Sequence, residues 1–153
     1  MSREVGSRVG TRSPDRGPGD ARDPADLLAE NVGLLAALAT RSLYEEQPEL
    51  WRLGEPGRAR THEDFVEHFR ALATLDEVVF EAHVRYCEGL FSARGYPKRW
   101  LEDAWRHMAA VVAAELPPPA SSRVMAVLGQ VIGNPLGRKE SGGSAEADPA
   151  PSS

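Results

Sequence analysis

The stretch from Asp76 to Leu116, DEVVFEAHVRYCEGLFSARGYPKRWLEDAWRHMAAVVAAEL, decides the fold. Asp76 stands directly before an apolar-periodic run, where its side chain can accept from the free N–H groups of a helix's first turn. Phe80, Val84, Cys87 and Phe91 then recur at three- and four-residue intervals, with Glu77, Glu81, Arg85 and Glu88 on the other side. That is the period of an amphipathic helix with one face turned to a core. Gly95 suits the left-handed position that ends a helix, and Pro97 suits the first position of the next. Leu101, Trp105, Met108 and Val112 give that next helix its own apolar stripe. The reading is two amphipathic helices joined by a tight corner.

The flanking sequence repeats the theme. Asp23-Pro24-Ala25-Asp26 is a helix start, and Leu27, Leu28, Leu34, Leu35, Leu38 and Leu43 carry a helix to about Tyr44. Pro48 opens a short helical turn, Glu49 to Leu53, which Gly54, Pro56 and Gly57 are expected to break. Thr61 is the expected cap of a helix with Phe65, Phe69 and Leu72 on its inner face. Pro117-Pro118-Pro119 reads as a rigid break, with Ser121 or Ser122 capping a last helix through Ile132 and Gly133 ending it. Residues 24–133 therefore predict one all-α domain, a bundle of five main helices and one short one. Residues 1–23 and 134–153 are rich in Gly, Ser, Pro and charge and poor in large apolar groups. They are expected to be disordered tails, unable to offset their ordering entropy by burial.

Composition narrows function by exclusion. The 153 residues carry a net charge of −5 with 18 basic and 23 acidic groups. The acidic balance falls on residues 24–133, so the clustered Lys and Arg of a nucleic-acid footprint are not expected. No apolar run is long enough for a membrane span or a signal segment, which predicts a cytoplasmic protein without membrane contact. The single cysteine, Cys87, forbids an intrachain disulfide.

Four histidines, His62, His68, His83 and His107, are the main chemical candidates. His83 and Cys87 are four residues apart on one helix and so share a face, a spacing that metal ligands use. No second ligand pair accompanies them in the sequence, and Cys87 lies mid-stripe, where a buried small hydrophobe is expected. No metal site is therefore predicted. His68, His83 and His107 sit at the edges of apolar stripes, the usual place for an amphipathic ring with its body in and its nitrogen out. Were those edges to meet, they would line a polar cleft or a pH-sensitive cluster, and His68, His83 and Cys87 are the candidate ligands should a cofactor bind. A Cys87–His83 nucleophile pair is disfavoured because an apolar setting opposes the thiolate. Tyr96 and Trp100, at and beside the corner, are the candidate interface anchors.

The segment Thr61–Leu116 has a helix ending in Ala71-Leu72-Ala73-Thr74, the cap Asp76, a long helix, then Ala93-Arg94-Gly95-Tyr96-Pro97 and another amphipathic helix. This order resembles the globin and phycobiliprotein group. It looks most like the cofactor-free, globin-like sensor domains of bacterial stressosome co-antagonists, and similar segments precede cobalamin-binding domains in some regulators. In the haem members the proximal histidine lies about a turn before the corner glycine, where this chain has Phe91. The bilin-holding cysteine and aspartate of the phycobiliproteins fall on Gly57 and Arg60. The resemblance implies a globin-like sensory or scaffold domain without conventionally bound haem or bilin. The sequence-level expectation is thus a non-enzymatic regulatory or protein-interaction domain with no cofactor, acting through a protein partner and pairing as a homodimer. The alternative is a tetrapyrrole-binding protein with unusual ligation through His68 or His83.

Overall fold

A computed structural model describes residues 22–133. All of its regular elements are helical: α1 (Pro24–Glu30), α2 (Val32–Glu46), a 3₁₀ helix (Pro48–Leu53), α3 (Gly54–Ala73), α4 (Glu77–Ala93), α5 (Lys98–Glu115) and α6 (Pro118–Ile132). The all-α expectation holds. The two predicted tails lie outside the described residues, apart from Arg22 and Asp23.

Local chemistry explains where the helices begin and end. Asp23 accepts from Ala25 N–H at 3.1 Å, and Asp76 accepts from Val78 and Val79 N–H at 2.8 and 3.2 Å, as the sequence indicates. The corner after α4 is a Schellman motif. Gly95 takes φ 72°, Gly95 N–H donates to Ser92 C=O and Tyr96 N–H to Phe91 C=O, and the Phe91 and Tyr96 rings meet at 5.4 Å. The α3–α4 corner is turned by Leu75 at φ 52°, a strained conformation for a branched side chain that its packing against the core holds in place.

Three boundaries differ from the sequence reading, each for a backbone reason. The predicted helix from Pro24 to about Tyr44 divides at Asn31. Its side-chain amide donates to Leu27 C=O at 2.8 Å, the acceptor its own N–H would use in a continuous helix, and that N–H turns to Leu28 C=O instead. Gly54, Pro56 and Gly57 open α3 rather than break it, because the first turn of a helix needs no N–H from Pro56. A Cβ on Gly57 would lie 2.5 Å from Leu53 Cβ, so only glycine lets the 3₁₀ helix run straight into α3. Thr61 is consequently inside the helix, donating to Gly57 C=O at 3.0 Å, and is not a cap. Likewise Pro118 and Pro119 form the first turn of α6, and Ser121 and Ser122 lie within it.

α2 packs between α3 and α5, and α6 closes the bundle against α1, α3, α4 and α5. Ala36, Ala39 and Thr40 are fully buried on α2, and small side chains there let the neighbouring helices approach. Thr40 meets its own polar requirement by donating to Ala36 C=O at 2.8 Å. Phe65, Phe69, Leu72, Phe80, Met108, Val112, Val124 and Leu128 fill the interior. Of the two neighbouring leucines in the sequence pattern, Leu35 is buried, seven residues after buried Leu28, and Leu34 is 54% exposed.

The neighbouring pair gives a stability prediction. Leu35→Ala should cost about 2–5 kcal/mol by opening a core cavity. Leu34→Ala should stay within about 0.5 kcal/mol. Urea denaturation of the two variants separates this register from one in which Leu34 is buried.

Candidate functional site

Two helices bring together a cluster that sequence spacing shows only in part. His83 and Cys87 lie one turn apart on α4. His68 comes from α3, and its partner ring is fixed by the α3–α4 corner. His68 Nδ1 is 2.9 Å from His83 Nε2, and Cys87 Sγ is 3.4 Å from the same nitrogen. The three potential donor atoms all lie within 4.8 Å of one another. His68 and Cys87 are buried and His83 is half-buried. His68 thus departs from the expected edge position: the ring is 5% exposed, and Nδ1 meets His83 rather than water.

Apolar groups hold the rings in place. Trp105 of α5 lies 4.8 Å from the His68 ring and 6.0 Å from Phe80, while Phe80 stacks over His83 at 6.4 Å. Phe65 meets His68 edge-on at 5.9 Å. Burial in this setting, reinforced by His83, pushes the His68 imidazole down to about 3. Burial also lowers His83, opposed by the Glu67 carboxylate. Burial pushes the Cys87 thiol up to about 11, helped by Asp64 and Glu88. At neutral pH all three groups are uncharged, which disfavours Cys87 as a free nucleophile.

His68 also borders an apolar cavity of about 210 Å³ between α2, the 3₁₀ helix, α3 and the start of α5. Leu43, Tyr44, Leu50, Phe65, Phe91 and Leu101 supply its walls. Tyr96 and Trp100, at 42% and 39% exposure, pack on each other at 5.3 Å beside it. The two predicted interface anchors therefore line this cavity. Arg60 and Asp64 bring exposed charges to its edge.

A second polar network links α2 to α5. His107 is buried, with Nδ1 against the Ser42 hydroxyl and Nε2 against the Glu46 carboxylate. Arg106 donates to Glu46 at 3.2 Å and to Asp103 at 2.8 Å, and Gln47 donates to Asp103 at 2.9 Å. Burial raises the Glu46 carboxyl, but the His107 and Arg106 hydrogen bonds and charges outweigh it and hold the group below its ordinary value. Serine, histidine and glutamate are the side chains of a hydrolytic triad, yet their setting is that of a brace. Ser42 sits inside α2, where the backbone N–H groups that would form an oxyanion hole are taken up by the helix. None of the three lines the apolar cavity.

Sequence spacing pairs His83 with Cys87, and His68, a candidate in its own right, joins them from fifteen residues away on another helix. His62, the remaining histidine, is half-exposed on α3. Comparisons with protein-family models, with curated proteins and with solved structures find no match.

Proposed function

We propose that the chain is a non-enzymatic regulatory domain of globin-like architecture that binds a small, largely apolar molecule between α2, α3 and α5 and signals to a protein partner. The observation that carries this reading is the apolar cavity edged by Tyr96 and Trp100, with the buried His68 on its lining. A concave apolar site with a few polar groups is the usual form of a small-molecule site. Its volume of about 210 Å³ lies below the roughly 300–1,000 Å³ of drug-sized sites and favours a compact ligand over a tetrapyrrole. The paired neutral imidazoles and the helix-embedded serine offer no activated nucleophile, which supports binding over catalysis.

The same reading includes self-association through α4. Val79, Ala82, Tyr86, Gly89 and Ala93 recur at alternating three- and four-residue intervals on the side of α4 away from Phe80, Val84 and Cys87. All five are exposed, Tyr86 at 65%, and the neighbouring Val78 is 76% exposed. An apolar seam of this spacing on a solvent-facing helix fits a second copy of the same helix.

Thermal-shift measurements with indole and small aromatic alcohols test the cavity. The reading predicts saturable stabilisation that disappears in Ala104→Leu, which fills the cavity wall. Stabilisation by none of these probes, or a shift indifferent to Ala104→Leu, would overturn it. A Soret band in the purified protein that vanishes in His68→Ala would favour the tetrapyrrole alternative instead.

Light scattering coupled to size exclusion tests the pairing. The full chain should elute as a dimer and Tyr86→Glu as a folded monomer. A monomer at high concentration contradicts the seam.

A further inference from the structure

We propose that His68, His83 and Cys87 form a three-ligand binding site for a borderline-soft transition-metal cation of the zinc(II) class, with a fourth coordination position left open. This goes beyond the cavity reading and does not depend on it.

The donor set is one that zinc-class ions select: two imidazoles and a thiolate. Two of its three donor separations are near what such an ion needs, and His68 Nδ1 and Cys87 Sγ, within 4.8 Å, close on binding. With metal–nitrogen bonds of about 2.0–2.1 Å and a metal–sulfur bond of about 2.3 Å, tetrahedral donors stand ~3.3 to 3.6 Å apart. His83 Nε2 and Cys87 Sγ are already separated by 3.4 Å. His68 Nδ1 and His83 Nε2, at 2.9 Å, need only a few tenths of an ångström more.

Hydrogen bonding alone leaves the cluster incompletely matched. His83 Nε2 faces two partners but carries either one proton or one lone pair. With the lone pair, a His68 N–H and the Cys87 S–H compete for a single acceptor. With the proton, His83 donates to His68 and the Cys87 S–H finds no acceptor within the trio. A cation satisfies all three atoms at once, taking the lone pairs of both imidazoles and the thiolate left when the Cys87 proton passes to solvent.

The surroundings suit a bound ion. Trp105, Phe80 and Phe65 hold the imidazole planes and limit water on the inner side. Asp64 stands one turn before His68 on α3, and Glu67 acts on His83. These carboxylates balance the single positive charge left by a divalent ion on one thiolate. His83 is half-buried, which leaves a route for the ion and a water ligand.

The test titrates the metal-free full chain with cobalt(II) and follows its absorption. Expected are one equivalent of tetrahedral cobalt, a sulfur-to-cobalt charge-transfer band, and displacement of both by zinc(II). Cys87→Ser should abolish the band, and His83→Ala should weaken binding by ~100-fold or more. His62→Ala should behave as the parent. Absence of the charge-transfer band in the parent, its persistence in Cys87→Ser, or an equal loss in His62→Ala would overturn the assignment. Should His83→Ala fail to show helical circular dichroism, the isosteric Cys87→Ser variant decides alone.

Discussion

The packing of the Trp105 indole against His68 and Phe80 is the contact on which the rest of the molecule depends. It joins α3, α4 and α5 at one point, and α2 and α6 cover the layer so formed. An aromatic side chain buries more area than any other and tolerates only a few orientations of its neighbours. Trp105 therefore does more than exclude water. It fixes the rotation of α3 and α4 about their own axes, and through that rotation it sets where His68 and His83 point. The corner at Leu75 and Asp76 makes α3 and α4 neighbours, and the indole makes their facing residues specific.

That dependence explains why the fold was far more legible in the sequence than the site. Helix identity is a local property. The cap at Asp76, the glycine at Gly95 and the three-to-four-residue spacing of Phe80, Val84, Cys87 and Phe91 all act within a few residues. Each survives in the structure. Sequence and structure differ where a residue type has two local meanings. Proline and glycine at Pro56, Gly57, Pro118 and Pro119 signal interruption, but they are equally at home in a first helical turn. Asn31 was silent because its effect depends on which carbonyl its side chain takes.

The histidines lay beyond local reasoning for another cause. A position at the edge of a helical stripe is equally compatible with a ring facing water and a ring facing a neighbouring helix. His83 and Cys87 could be paired from spacing alone. His68 and the link from His107 to Ser42 and Glu46 could not, because the partners are fixed by packing across the bundle. The two histidine pairings divide the domain's polar interior. One braces α2 to α5 through charge and hydrogen bonds, and the other leaves neutral donor atoms converging between α3 and α4. Both reach the apolar cavity, the second through His68 and the first through Gln47 and Asp103.

The central claim is that His68 is locked inside this aromatic contact with Nδ1 turned to His83. The direct test is the ¹⁵N spectrum of the imidazoles in the metal-free protein as pH is lowered. Burial holds the His68 value at about 3, below an unfolded imidazole at about 6.5, so the folded ring stays neutral across that interval while the unfolded chain takes up a proton. The sign follows: the folded state is progressively less favoured as pH falls from about 6.5 toward 3. The account predicts His68 ring nitrogens that keep neutral-form shifts from pH 7 to pH 5 in the folded protein. Titration of His68 near 6.5 with the fold intact would contradict it.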